Sequence, residues 1–215
     1  MTPIFVTSSG TEIGKTYVSA MLTRELKARA IKPLVSGFDE TTFPESDPAM
    51  LLAAMGEEVV FENAARVSRW RFKAALSPDM AAKREGRKIN FHELVDECLA
   101  AAAKSDLLVI EGVGGLMVPL DERHTVLDWM KVLDARVKLA PLLVVGAYLD
   151  TISHTLTTLA VMRAENLLPR AIVVSEAAPG PVPVEETAET IARFSGGVPV
   201  RALPRGTTVT LADLF

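Results

Sequence analysis

A Gly-Lys-Thr triplet at residues 14–16 constrains the fold of this chain more than any other feature of its sequence. The triplet follows an apolar run at residues 4–7 and a loop of small and polar residues, and it opens a helical pattern. A strand, such a loop and a helix that begins this way predict a phosphate-binding loop, whose backbone N–H groups point at a polyphosphate. We therefore expect Lys15 to reach the β- and γ-phosphates and the Thr16 hydroxyl to ligate Mg²⁺.

The loop departs from the usual spacing G-x-x-x-x-G-K-[ST], because Ser9 stands where that pattern has glycine and Gly10 follows one residue late. A helix that happens to begin with Gly-Lys-Thr is the alternative interpretation, and the triplet alone is a weak signal. The strand before the loop and the amphipathic helix after it favour the phosphate-binding loop.

Composition narrows the class of protein. With 215 residues, 49% of them hydrophobic, and a mean hydropathy of +0.25, the chain can build one substantial core, so we expect a single domain over 1–215. A net charge of −4 without a block of Lys or Arg argues against nucleic acid or an anionic membrane as partner. The longest apolar run, 142–149, is too short to span a bilayer, and no basic leader precedes the first strand. The lone Cys98 suits a reducing compartment and a buried core position. We expect a cytoplasmic protein.

Short apolar runs alternate with helical patterns along the whole chain. The runs are residues 4–7, 31–35, 107–110, 142–145, 171–174 and 198–200, and the helical patterns are 15–29, 48–55, 91–104, 126–133, 151–165 and 184–194. Each run is apolar at consecutive positions, which is typical of strands buried on both faces. The alternation predicts a three-layer α/β fold like that of P-loop NTPases, with a mostly parallel sheet covered by helices on both faces. Asn90 with Glu93 predicts a capping box, Thr125 with Asp128 a weaker one, and residues 41–47 and 177–183 are predicted loops.

Ligands of such a sheet bind beyond the carboxyl ends of its strands, so the residues that follow each run carry the site predictions. Glu111 follows the third run and precedes three glycines in four positions, which favours a second Mg²⁺ ligand over a surface acid in a turn. Lys32 lies inside the second run, where either an anionic ligand or an ammonium that reaches solvent explains it. Asp47 before Pro48 is typical of a helix N-cap, and the same carboxylate could also meet a metal.

Five segments in chain order resemble the dethiobiotin synthetase family, the ATP-dependent ligases of biotin biosynthesis. They are Thr11-Glu12-Ile13-Gly14-Lys15-Thr16, Lys32-Pro33-Leu34-Val35-Ser36-Gly37, Ser46-Asp47, Ser77-Pro78 with Glu85-Gly86-Arg87, and Glu111-Gly112-Val113-Gly114-Gly115. Each segment alone is weak, but five in order at family-like separations are specific. The resemblance runs over nearly the whole chain.

The resemblance implies a reaction and its participants. An amine of 7,8-diaminononanoate would capture CO₂ as a carbamate, ATP would phosphorylate the carbamate, and the second amine would close a cyclic urea and release phosphate. The implied metal ligands for Mg²⁺ are Thr16, Asp47 and Glu111; Lys15 and Lys32 would neutralise charge on the γ-phosphate and carbamate; Thr11 and Ser36 would position the carbamate and phosphate.

The resemblance also implies a nucleotide site, a substrate site and a homodimer. The nucleotide would contact Glu12, Ile13, Gly14, Lys15, Thr16, Tyr17, Ser175 and Glu176, and the substrate would contact Ser36, Gly114, Gly115, Thr151, Ile152 and Ser153. The family binds the tail carboxylate of its substrate at a helix N-terminus of the partner subunit, which corresponds here to the helix that begins near Thr151. Asp150 and Ser153 stand there where the family has glycine and asparagine.

Base recognition is expected to differ from the family. Ser175-Glu176 replaces an Asn-Asp pair, and a serine cannot offer the two-pronged amide edge that reads adenine. We therefore expect relaxed nucleotide selectivity.

Two other classes of protein with this fold stay open. The first is a non-catalytic nucleotide-sensing module, which the departures in the loop and at Ser175 fit, whereas the presence of both lysines and both acids argues against it. The second is a partitioning ATPase, but that class usually has an extra lysine early in the loop, and none occurs before Gly14.

Overall fold

A computed structural model describes residues 2–178, 180–207 and 209–215 of the chain. Its strands are β1 (Ile4–Ser8), β2 (Arg29–Ile31), β3 (Leu34–Ser36), β4 (Trp70–Phe72), β5 (Leu108–Glu111), β6 (Ala140–Gly146), β7 (Ala171–Ser175) and β8 (Val200–Leu203). Six of them form one sheet in the order β2-β5-β1-β6-β7-β8, and every pair of neighbours is parallel. Strands β3 and β4 form a separate parallel pair.

Eight α-helices cross between the strands in the described residues. They are α1 (Lys15–Leu26), α2 (Asp47–Ala54), α3 (Ala64–Val67), α4 (Pro78–Arg84), α5 (Phe91–Ala103), α6 (Val126–Val137), α7 (Thr151–Ala164) and α8 (Val184–Phe194), with 3₁₀ turns at Glu40–Glu45, Phe61–Asn63 and Ala212–Leu214. None of the described helices is long and apolar enough to cross a membrane.

The sheet separates two apolar cores because successive strand residues point to opposite faces. Phe5, Ile110 and Val145 belong to the core under α4, α5, α6, α7 and α8, whereas Val6 and Val144 belong to the core under α1, α2 and α3. Burial of both strand faces explains why the runs are apolar at consecutive positions rather than alternately. The predicted three-layer α/β fold with a parallel sheet is confirmed.

The predicted strand 31–35 is wrong in one respect, because the chain leaves the main sheet at Lys32-Pro33. The Lys32 N–H donates to the Val67 carbonyl (3.0 Å), and Pro33 has no N–H to continue the ladder. Residues 34–36 then pair with β4 instead of with the main sheet. Strand β4 and helices α3 and α4 were not predicted, since each is too short to show a periodic pattern.

Of the two predicted capping boxes, the one that the sequence predicts more weakly is the complete one. Thr125 and Asp128 form the complete capping box, with reciprocal side-chain to backbone hydrogen bonds. Asn90 accepts from the N–H groups of His92 and Glu93, but the Glu93 carboxylate accepts from the Asn90 side chain and not from its backbone. Cys98 is fully buried in the core, as predicted. Residue 179 of the predicted loop 177–183 lies outside the described residues.

Candidate active site

The predicted phosphate loop connects β1, a central strand of the sheet, to α1. Gly14 is the N-cap of α1 and has φ 91° in the left-handed region, which favours glycine. A Cβ at this position would lie 2.5 Å from Ser175 Oγ, so the site requires glycine for space as well. The first turn of α1 contains no acidic residue. No carboxylate of that turn therefore offsets the positive end of the helix dipole, which faces the loop.

Strand register brings distant residues to the end of this loop. Val6 of β1 is in register with Glu111 at the end of β5, and Ile31 at the end of β2 is in register with Ile110 on the other side of β5. Lys32 follows Ile31 directly and therefore emerges beside Glu111. Three neighbouring parallel strands thus end at one place, which is where ligands bind in open parallel sheets.

Asp47 reaches the same place from α2, which packs against α1. The prediction that Asp47 caps this helix is wrong, because the Ser46 hydroxyl accepts from the Ala49 N–H (3.4 Å) and Asp47 is the first helical residue. The cap therefore leaves the Asp47 carboxylate available for other partners.

Four side chains meet in a compact hydrogen-bonded cluster. Thr16 Oγ1 lies 2.7 Å from Glu111 Oε1 and 2.9 Å from Asp47 Oδ1, and its single hydrogen can serve one carboxylate at a time. Lys32 Nζ donates to Glu111 Oε1 (2.7 Å) and to Asp47 Oδ2, and lies 3.4 Å from Thr16 Oγ1. Local patterns predicted each member separately, the family resemblance implied that they share one site, and the structure brings all four together.

Burial makes the charges of this cluster interdependent. Lys32 is 6% exposed and Glu111 1% exposed. Burial by itself would lower the pKa of Lys32, but Glu111 and Asp47 outweigh it and hold that pKa above its usual range. Burial would raise the pKa of Asp47, and the Lys32 charge with the Lys32 and Thr16 hydrogen bonds lowers it instead. Both groups therefore favour their charged forms.

Lys15 has a different environment from Lys32. Its ammonium donates to the Gly10 carbonyl (3.0 Å), and burial together with the nearby Lys32 charge lowers its pKa to about 8. The Glu111 and Asp47 carboxylates act on Lys15 only at a distance, whereas a polyphosphate would be an anionic partner in direct contact.

Ser8 connects the phosphate loop to the glycine segment after β5. Its buried hydroxyl lies 2.6 Å from the Gly10 carbonyl oxygen and 2.8 Å from that of Gly114. The two segments also approach closely at Gly115, where a Cβ would lie 3.2 Å from the Gly10 nitrogen. Gly115 therefore serves this close contact rather than lining the adjacent cavity.

A cavity of about 670 Å³ opens over the cluster. Predicted site residues that line it are Thr11, Glu12, Ile13, Gly14, Lys15, Thr16, Tyr17, Lys32, Ser36, Asp47 and Gly114. The Ser36 hydroxyl is buried there without a hydrogen-bond partner. An apolar wall that includes Leu76, Pro78 and Val118 was missed by the prediction. The Ser77-Pro78 segment of the family resemblance was the signal that could have revealed it.

The remaining predicted residues lie outside this cavity. Ser175, at the end of β7, lines a neighbouring cavity of about 320 Å³ together with Ile13 and Tyr148. The Glu176 carboxylate instead accepts from the Arg205 N–H (2.9 Å). Thr151, Ile152 and Ser153 begin α7 away from the main cavity of their own chain, and the Thr151 hydroxyl donates to the Gly146 carbonyl (2.7 Å).

The cluster has the donor chemistry that Mg²⁺ requires. Two carboxylates and a hydroxyl are hard oxygen ligands, and Glu111 Oε2 is buried without a hydrogen-bond partner. Among the residues that the structure describes, no group of three or more His, Cys, Asp or Glu side chains could hold a metal ion. An ion at this cluster would be held by its two carboxylates and one hydroxyl, those of Asp47, Glu111 and Thr16, with water or phosphate oxygens in its other positions.

A parallel sheet whose central strand leads through a glycine-ended loop into a helix that starts with Lys and Thr defines the class of P-loop ATPases. The protein-family model described as an AAA domain matches residues 2–210. Solved structures show the same fold: a ParA family ATPase from Chlorobium tepidum TLS has a TM-score of 0.54 at 14% identity and covers 94% of this chain and 84% of its own. The MinC:MinD cell division protein complex of Aquifex aeolicus has a TM-score of 0.51 at 12% identity, over 100% and 85%.

Curated relatives define the family within this class. The ATP-dependent dethiobiotin synthetase BioD of Acidiphilium cryptum is 45% identical over 206 residues, which is 93% of this chain and 91% of that protein. The protein of the same name from Methylobacterium nodulans is 46% identical over 217 residues, 96% of this chain and 94% of its own. The chain belongs to the ATP-dependent dethiobiotin synthetase family, and the predicted family and enzyme class are confirmed.

Proposed function

We propose that this protein catalyses the ATP-dependent conversion of 7,8-diaminononanoate and CO₂ into dethiobiotin, a step of biotin biosynthesis. Membership of the family supports the reaction. The observation that ties it to particular residues is the convergence of Lys32, Thr16, Asp47 and Glu111 within hydrogen-bonding distance beside the phosphate loop. A single catalytic domain over residues 1–215 is part of the proposal.

The proposed chemistry has three steps. An amine nitrogen forms a bond to the carbon of CO₂ and loses a proton, which gives a carbamate. A carbamate oxygen then attacks the γ-phosphorus of ATP, and the bond to the bridging oxygen of ADP breaks to give a carbamic-phosphoric anhydride. The second amine attacks the carbonyl carbon, loses a proton and expels phosphate, which closes the cyclic urea.

The two lysines stabilise negative charge in these steps. Lys15 opens α1 and meets the β- and γ-phosphates, where the transferred group accumulates charge on its oxygens. Lys32 lines the same cavity and meets both the γ-phosphate and the carbamate. Both ammonium groups are largely withdrawn from water, which strengthens their interaction with an anion. Holding the short-lived carbamate beside the phosphate contributes further through proximity.

Mg²⁺, when bound, would supply positive charge that binds and polarises the phosphate oxygens. Thr16, Asp47 and Glu111 would hold it, and the proposed role of these side chains is to fix its position beside the loop. The backbone N–H groups of residues 12–17 would bind the phosphates.

Substrate contacts follow from the walls of the cavity. The unpaired Ser36 hydroxyl is available to hydrogen-bond the carbamate, together with Thr11 and the backbone at Gly114. The apolar wall with Leu76 and Pro78 suits the hydrocarbon chain of the diamine.

A homodimer would complete the substrate site. The N-terminus of α7 with Thr151, Ile152 and Ser153 does not line the cavity of its own chain, and the tail carboxylate would bind to this helix end of a second copy. Sedimentation of the purified protein would show a dimer, and a monomer with full activity would contradict this part of the proposal.

The decisive experiment is release of phosphate that depends on both added diamine and bicarbonate, with dethiobiotin identified by mass spectrometry. Lys32→Ala is expected to reduce turnover by about a hundredfold or more while ADP still binds. Lys131→Ala is a matched control, because Lys131 is an exposed lysine paired with Glu165 away from the cavity. Nucleotide binding without diamine-dependent turnover would instead favour the non-catalytic sensing module.

A further inference from the structure

The two carboxylates proposed to hold Mg²⁺ also accept hydrogen bonds from Lys32. Its ammonium lies 2.7 Å from Glu111 Oε1 and 3.4 Å from Thr16 Oγ1, and it is paired with Asp47 Oδ2. Magnesium coordinates carboxylate and hydroxyl oxygens at short distances and in a near-octahedral geometry, so an ion held by these groups would lie close to the Lys32 ammonium. A metal ion and the Lys32 ammonium would repel each other strongly if both contacted so small a group of oxygens.

Lys15 provides an internal comparison. It is buried to the same extent as Lys32, at 6% exposure, and lines the same cavity. However, its ammonium donates to the Gly10 carbonyl and not to the carboxylates. One lysine therefore contacts the proposed metal ligands, and the other brings a positive charge to the cavity without this contact.

We propose that Lys32 is a competing cation for the divalent-metal site, so that an entering metal ion displaces its ammonium from Glu111 and Asp47. The displaced ammonium then meets the polyphosphate, so the metal and the nucleotide bind most readily together. The inference rests on the proposed magnesium site but not on the proposed reaction.

The surroundings of Lys32 confine this displacement to its side chain. The backbone is fixed on both sides, because the Lys32 N–H donates to the Val67 carbonyl (3.0 Å) and the Lys32 carbonyl accepts from the Ser68 hydroxyl (2.6 Å). The flexible four-carbon stem of a lysine can redirect its ammonium within the cavity without a change of backbone.

Metal affinity without nucleotide tests the proposal. Mn²⁺ is the probe, because electron paramagnetic resonance counts the free ion, and each variant is compared with the unmodified protein. Lys32→Met is expected to bind Mn²⁺ at least about tenfold more tightly, because the competing charge is removed from the ligands. Lys15→Met is expected to change the affinity by less than about threefold. Lys32→Arg keeps the charge and is expected to stay near the affinity of the unmodified protein.

Equal tightening in Lys15→Met and Lys32→Met would show a general charge effect and overturn the proposal, as would no tightening in Lys32→Met. If Lys32→Met fails to fold, nuclear magnetic resonance of the unmodified protein with ¹³Cε-labelled lysine tests the displacement instead. The Lys32 signal, assigned by its loss in Lys32→Arg, is expected to shift as Mg²⁺ is added, whereas that of Lys131 stays in place. An unmoved Lys32 signal at saturating Mg²⁺ refutes the displacement. Neither readout depends on turnover.

Discussion

Removing the Lys32 charge should destabilise the folded protein through Glu111. The Glu111 side chain is fully buried and its Oε1 accepts from Lys32 at 2.7 Å, so Lys32→Met leaves a buried carboxylate without its cation. Breaking a buried ion pair from one side typically costs about 3–5 kcal/mol. The Asp47 side chain is 38% exposed and can be solvated, so we expect the lower end, about 3 kcal/mol. For a chain of this size, that lowers Tm by about 6–12 °C.

Urea unfolding followed by circular dichroism measures this change as a shift in the midpoint at an unchanged m value. The double variant Lys32→Met with Glu111→Gln removes both charges and should recover most of the loss, because the uncompensated carboxylate is the cause. Lys131→Met is the control, and its exposed ion pair with Glu165 should leave the midpoint unchanged. A loss in Lys32→Met that Glu111→Gln does not reduce would refute the reasoning and assign the effect to lost packing.

Four further predictions concern the nucleotide site. Binding of ADP at pH 8 should take up about half a proton, because the Lys15 pKa is lowered to about 8 and a phosphate partner would raise it; calorimetry in buffers of different ionisation enthalpy measures this, and Lys15→Arg should abolish it. In the protein without nucleotide, the lowered pKa means that charged Lys15 destabilises the folded state. Its contribution to stability should therefore rise with pH between about 8 and 10.5. Gly14→Ala should abolish nucleotide binding, because the added Cβ would lie 2.5 Å from Ser175 Oγ. Gly56→Ala is the control and should leave nucleotide binding unchanged, because Gly56 has a comparable φ of 70° but no atom within 4 Å of an added Cβ. Equal loss of nucleotide binding in both variants would mean that backbone strain alone is responsible. The kcat/KM values for ATP, CTP and GTP should differ little in the unmodified protein, and a strong preference for ATP would contradict the expected relaxation at Ser175; Ser175→Asn should raise the ATP preference by about tenfold or more.

Local sequence was sufficient for the layers of the fold. Consecutive apolar residues, as in 142–145 and 171–174, occur where both faces of a strand are buried, and the structure has β6 and β7 there. Together with the strand before it and the helix after it, the Gly-Lys-Thr triplet was sufficient to predict the phosphate loop, because glycine, lysine and threonine each meet a separate local requirement of phosphate binding.

Short elements could not be predicted in this way. Strand β4 and helices α3 and α4 have too few residues for a periodic signal, and Trp70 and Phe72 form a strand only because they pair with β3. The apolar wall at Leu76 and Pro78 depends on that pairing, and it was therefore missed.

The sequence by itself determined which side chains carry charge or a hydroxyl at the ends of strands, because that information is local to each segment. The meeting of Lys32, Glu111 and Asp47 with Thr16 was implied by the family resemblance, but no local pattern shows it. The tertiary structure decided it, because these residues lie 15 to 95 residues apart and their contact depends on strand register and on the packing of α2 against α1. The structure likewise decided that Ser46, and not Asp47, caps α2. It also decided that Ser8 bridges two carbonyl groups. Such roles arise from neighbours distant in the chain, which no local pattern records.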